Sequence, residues 1–115
     1  MHRSIPRREQ EPALRAEILH IDDCPSWEEA SRRLRAALDS TGHQDTVIAH
    51  TLVASPAEAA QVPFAGSPTI LIDGTDLFPS AGRTNELACR VYLTPEGLAG
   101  RPTKEQLQQA LASFA

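Results

Sequence analysis

The chain has little that would tie it to a charged partner. Of its eleven basic residues only Lys104 is a lysine, and the formal net charge is -4. No basic surface recommends nucleic acid or an anionic membrane as a partner. No apolar run approaches the roughly 20 residues of a membrane-spanning helix. The opening stretch MHRSIPRREQEPALR carries charges but lacks the apolar centre of a secretory signal. The compartment these absences predict is the cytoplasm, where thiols stay reduced. There are only two cysteines, Cys24 and Cys89, too few for a disulfide framework and too far apart in sequence for zinc-ligand spacing. The histidines His2, His20, His43 and His50 show no pairing at helical spacing. Neither a metal nor a cofactor is expected.

What is present reads as one small α/β domain. A length of 115 residues suffices for a single core, and 41% hydrophobic with 23% charged residues is ordinary for a globular chain. Residues 1–13 are polar and without period, so they are expected to be a mobile arm preceding a domain over 14–115. Glu17 to Asp22 is apolar enough for a buried strand, and Asp23-Cys24-Pro25 breaks it. Trp27, Ala30, Leu34, Ala37 and Leu38 then fall on one helical stripe, with Gly42 closing the helix.

Thr46 to Val53 is β-branched and predicts a second strand. Ser55-Pro56-Ala57-Glu58 is a capping box with proline at the first helical position, which predicts a short helix to about Val62. Pro68 to Asp73 predicts a third strand ending in an Asp73-Gly74 turn. Residues 75–88 read as a polar loop, Cys89 to Leu93 as a fourth strand, and Thr94 to Gly97 as a turn. Thr103 to Gln106 is a second capping box, opening a helix that buries Leu107, Ala110, Leu111 and Phe114. The expected order is β-α-β-α-β-β-α. It has a right-handed parallel βαβ unit, an antiparallel final pair, and helices on both faces of a four-stranded mixed sheet.

Two short segments carry the chemistry. Cys24 lies where the first strand hands over to the first helix, and unpaired N–H groups and the helix dipole at such a place favour a thiolate. Pro25 suits the first turn because it has no N–H to leave unpaired. Asp22, Asp23, Glu28 and Glu29 oppose the effect, since like charges disfavour a thiolate. The plain alternative is a structural cysteine packed beside a strand. The second segment is Gly66-Ser67-Pro68-Thr69 before a buried strand, where proline cannot donate to the ladder and a cis Ser67–Pro68 bond would expose backbone groups. Arg32, Arg33 and Arg35 read as a solvated face, and Asp73 and Asp76 as turn residues.

Taken together, Cys24-Pro25 at a helix start, Ser67-Pro68-Thr69 opening the third strand and Asp73-Gly74 closing it resemble the thioredoxin/glutaredoxin superfamily. They are most similar to short bacterial thioredoxin-family proteins, some of which carry an alkylmercury-lyase label. The resemblance runs over about residues 15–115 in element order. It implies thiol–disulfide exchange, with Cys24 as the attacking thiol and Pro68 as the cis proline facing it. Pro25, Trp27, Ser67, Pro68 and Thr69 would line the substrate groove, and the partner would be a protein or small-molecule thiol or disulfide.

The chain departs from the family where a CxxC motif would need its second cysteine, because that position is Trp27. Tryptophan cannot release a mixed disulfide, so a dithiol mechanism inside the motif is excluded. Cys89 is the possible second thiol. In the expected topology it sits at the far edge of the sheet, some 15 Å from Cys24, beyond the roughly 7 Å that a disulfide allows between Cα atoms. The sequence therefore predicts a monothiol protein resolved by an external thiol. Two alternatives stand beside it: a non-catalytic binding module, and soft-metal or organomercurial handling, which needs both thiols to meet in space. Trp27 also reads as a core anchor of the first helix.

Overall fold

The computed structural model describes residues 14–79, 84 and 86–114. The arm expected over 1–13 lies outside these residues. The chain forms a mixed α/β structure with a four-stranded sheet. Strand β1 (Ala16–His20) leads to helix α1 (Ser26–Ser40), strand β2 (Ile48–Leu52) and a one-turn helix α2 (Pro56–Ala59). Strands β3 (Thr69–Ile72) and β4 (Thr75–Asp76) follow, then a separate hairpin of β5 (Tyr92–Thr94) and β6 (Gly97–Ala99), and last helix α3 (Lys104–Ser113). The sheet order is β2-β1-β3-β4. β1 and β2 are parallel, whereas β3 is antiparallel to both β1 and β4.

Each element follows from its local chemistry. α1 buries Ala30, Leu34, Ala37 and Leu38, the predicted stripe, while Thr41 caps its end with its N–H on Ala37 O at 3.1 Å. Gly42 follows at φ 87°, a left-handed conformation that glycine takes without penalty. α2 starts with the Ser55 hydroxyl accepting the Glu58 N–H, and α3 with a reciprocal capping box between Thr103 and Gln106. Asp73 and Gly74 both have positive φ (53° and 80°), the geometry of a two-residue hairpin turn.

Strand alternation divides the core between the two faces of the sheet. Ala16, Ile18, Ile70 and Ile72 face α1 and α3, meeting Leu34, Leu38, Leu107 and Leu111. Leu19, Ile21 and Leu71 face the other way, against Val53, Ala59 and Phe64. Each fully buried leucine or isoleucine contributes about 1.5–3 kcal/mol, so this two-sided packing, more than the short strands, holds the sheet. Among the described residues no helix is long and apolar enough to cross a membrane.

The fourth strand differs from expectation. On the side of β3 away from β1, the edge strand is only Thr75 and Asp76, and the sheet ends there. Cys89 to Leu93 does not join it. Tyr92–Thr94 pairs with Gly97–Ala99 around a tight turn, and Cys89 makes an isolated parallel bridge with Ser67. The physical cause is Arg90. Its side chain is buried, pairs with Asp76 at 2.9 Å and also donates to Phe78 O, drawing the returning chain across to the start of β3.

Candidate functional site

The antiparallel register of β1 with β3 sets Leu19 opposite Thr69. The residues leaving β1 therefore meet the residues entering β3, and Cys24 comes to lie beside Ser67-Pro68. The Ser67–Pro68 peptide bond is cis. Ser67 is wholly buried, and its hydroxyl accepts the Ile21 N–H at 3.0 Å, clamping the two segments together. Its N–H donates to Ala88 O at 2.9 Å and its carbonyl accepts the Arg90 N–H at 2.7 Å, so both arms of the bridge are satisfied. The Cys24 thiol donates to that same carbonyl at 3.5 Å.

This bridge carries Cys89 to Cys24. The Cys89 thiol is held above its ordinary value, first by loss of solvent around the sulfur. The neighbouring Cys24 and the charge of Asp23 act in the same direction. The expected separation of some 15 Å across the sheet is therefore corrected: Cys89 pairs with Ser67, the residue whose carbonyl accepts the Cys24 thiol, so the two cysteines are neighbours. The expectation assumed that Cys89 continued the sheet at its far edge, whereas β4 takes that place and the chain comes back beside Pro68.

Exposure separates the two cysteines. Cys24 is 3% exposed and packs with Leu19, Ile21 and Phe64, while Cys89 is the exposed cysteine of the pair. Cys24 does not itself cap the helix. Pro25 is the N-cap residue, with no side-chain cap, and the Cys24 sulfur turns to Ser67 O.

The other predicted residues divide between the site and the core. Thr69 accepts the Ala65 N–H at 3.0 Å and donates to Gly66 O, bracing the turn before Pro68. Pro25 is exposed beside the thiols. Trp27 belongs elsewhere. It stacks on His20 at 4.1 Å, meets His50 at 5.1 Å and packs on the α1–α3 side of the sheet, whereas Cys24 belongs to the opposite core.

Tyr92 and Arg90, which sequence reasoning passed over, and Gly66, which it named without a role, build the site. Tyr92 donates its buried hydroxyl to Pro68 O at 2.5 Å, and burial raises the phenol well above its usual range. Arg90 lies over the Tyr92 ring at 4.6 Å. Gly66 has φ 107°, and a Cβ there would come within 2.9 Å of Arg90 Cβ. Its place directly before Ser67-Pro68 was the available signal, because only a residue without a side chain lets the two backbones approach this closely.

The arrangement has two chemical capacities. Adjacent thiols can form a disulfide, and two sulfurs can also hold a soft metal ion. Among the described residues no group of three or more His, Cys, Asp or Glu side chains is gathered to hold a metal ion. Comparison of the chain with protein-family models, with curated proteins and with solved structures returns no match.

Proposed function

We propose that this is a thioredoxin-like domain that performs thiol–disulfide exchange through Cys24 and Cys89 acting together. The observation that carries the proposal is that both cysteines meet at Ser67: Cys89 bridges to it and the Cys24 thiol donates to its carbonyl at 3.5 Å. The sheet order β2-β1-β3-β4, a cysteine just ahead of the first long helix and a cis proline opening β3 support the same reading. The roles expected on sequence grounds change: Cys89 makes the first attack, and Cys24 takes the resolving part given there to an external thiol.

The exposed thiol meets the substrate first. Cys89 loses its proton to solvent and its thiolate attacks one sulfur of a substrate disulfide. The substrate S–S bond breaks, a mixed disulfide forms on Cys89, and the first substrate thiolate leaves and is protonated. Cys24 then loses its proton, attacks Cys89 Sγ and releases the second substrate thiolate, leaving a Cys24–Cys89 disulfide. The substrate gains two electrons and the protein dithiol loses two. An external dithiol run through the same steps in reverse restores the protein. The elevated Cys89 thiol makes the first step slow at neutral pH and faster as pH rises.

The test uses a chromogenic aromatic disulfide with wild type, Cys24→Ser and Cys89→Ser. Wild type should release two aromatic thiols per chain and retain none. Cys24→Ser should release one and keep the other bound to Cys89. Wild type retaining one adduct on each cysteine would defeat the proposal. A second reading, a non-catalytic module that holds an extended partner segment near Pro68, is favoured by the burial of Cys24, and that same result would leave it in front.

A further inference from the structure

We infer that the apolar row and groove beginning at Cys89 receive an apolar side chain of a peptide or protein substrate, so that the disulfides exchanged here are those flanked by apolar residues. This rests on the exchange reading above and names the substrate class for it. The observation behind it is an inversion in the stretch of chain that carries the exposed thiol. From Cys89 to Thr94 exposure alternates strictly, with Cys89, Val91 and Leu93 open and Arg90, Tyr92 and Thr94 buried. A half-exposed strand ordinarily turns its apolar side chains inward. Here Arg90 is held inside by Asp76 and the Tyr92 hydroxyl by Pro68 O, which leaves the apolar set outside.

The exposed thiol is thus the first member of an apolar row. Val91 is 60% and Leu93 75% exposed, and Leu98, directly opposite Leu93 in the β5–β6 hairpin, is 74% exposed. Alternate residues of extended chain share a face, so Val91 lies about 7 Å and Leu93 about 13 Å from Cys89 along the row. Val91 and Leu93 also line a groove of about 360 Å³, together with Phe78 and Pro79 from the chain after β4 and the buried Leu77 and Tyr92.

The polar side chains of the groove are already turned to partners within the chain. Arg90 pairs with Asp76 and donates to Phe78 O, Tyr92 donates to Pro68 O, and Gln106 donates to Leu93 O at 2.8 Å. A charged or hydroxyl side chain lodged there would give up water without a new partner. A leucine or phenylalanine would gain by leaving water. The three open side chains of the row leave roughly 300–400 Å² uncovered, well short of the roughly 800 Å² per partner that a stable protein interface takes. The face is therefore sized for a short segment and not for a second copy of the chain. Its continuity with the exposed thiol says which segment: the one that carries the disulfide, with its apolar side chain two to four residues from the cysteine.

The experiment uses symmetric disulfides of short acetylated peptide amides. Each has one cysteine and is otherwise glycine, except that the second residue on either side is leucine, serine or lysine. Second-order rates for closing the Cys24–Cys89 disulfide are each divided by the rate of the same reagent with a cysteine peptide. The corrected leucine-to-serine ratio should be about ten, as expected for covering about half of a leucine side chain. It should hold in 0.5 M salt, whereas any lysine preference should be screened away there. In Val91→Ser/Leu93→Ser the leucine ratio should fall toward one. A leucine ratio near one in wild type, or one that survives the serine pair, would overturn the inference. So would a wild-type dimer in sedimentation that dissociates in the serine pair, because a second copy would then occupy the row. Neutral 2-hydroxyethyl disulfide, which has no side chain to dock, separates the two claims: if it closes the disulfide, exchange stands whatever the peptide preference. If no reagent closes it, the exchange reading has failed and this inference fails with it.

Discussion

Gly66→Ala is the substitution that tests how the fold makes the site. Gly66 sits at φ 107°, and an added Cβ would lie 2.9 Å from Arg90 Cβ and 3.1 Å from Arg90 Cα. Contact with backbone cannot be relieved by turning a side chain, so residues 88–90 must move off Ser67. The left-handed backbone alone costs a residue with a Cβ about 1–2 kcal/mol. Moving the segment also breaks the bonds from Ser67 N to Ala88 O and from Arg90 N to Ser67 O, each worth about 1 kcal/mol net. The expected loss of stability is about 3–4 kcal/mol, read from urea unfolding followed by Trp27 fluorescence. The same two bonds hold Cys89 at Cys24, and about 2 kcal/mol corresponds to roughly a 30-fold weaker tendency to close the disulfide against glutathione. Unchanged stability together with an unchanged closing equilibrium would refute the reasoning, because the bridge would then not position the second thiol.

Two further outcomes follow from individual contacts. In Cys24→Ser the charge and thiol that help to hold Cys89 up are gone, so the Cys89 pKa should fall toward its ordinary value. Its alkylation at pH 8 should then become several-fold faster than in wild type, as measured by timed labelling and peptide mapping across pH. An equal or slower rate would contradict the thiol contact. Tyr92→Phe removes the hydrogen bond to Pro68 O and should cost about 1–3 kcal/mol in urea unfolding, the upper value applying if the buried carbonyl is left unpaired. A cost near zero would mean that the phenol does not anchor the start of β3.

The parts of the fold that the sequence made legible are those with strong local chemistry. The stripe of α1, the β-branched β2, the capping boxes at Ser55 and Thr103 and the Asp73-Gly74 turn each declare themselves within a few residues. Cys24, Ser67 and Pro68 were found on the same grounds. The path of residues 86–94 was not, because no local pattern reports it. β4 is two residues long and has no period to read.

What places Cys89 is a tertiary pair, Arg90 with Asp76, between one residue passed over and another read only as a turn former. Arg35 shows the same limit. It reads as part of a solvated charged face, yet its guanidinium donates to Thr46 O at 2.5 Å, His43 O at 3.1 Å and Gln44 O at 3.3 Å, holding the loop between α1 and β2. Arg33 likewise reaches Pro102 O at 2.9 Å and ties α1 to the start of α3. Long side chains bonded to distant carbonyls leave no periodic trace in the sequence.

The central claim is that Cys24 and Cys89 form one redox unit, and its most direct measurement is the disulfide map of the oxidised chain. Reduced protein is treated with one equivalent of a small neutral disulfide, quenched with alkylating agent, and its intact mass and linked peptides are determined. The account predicts a monomer that has lost two hydrogens, with the peptide containing Cys24 joined to the peptide containing Cys89, and full recovery of two alkylated thiols after a dithiol reductant is added. Stable reagent adducts on the two cysteines separately, with no peptide linking them, would contradict it.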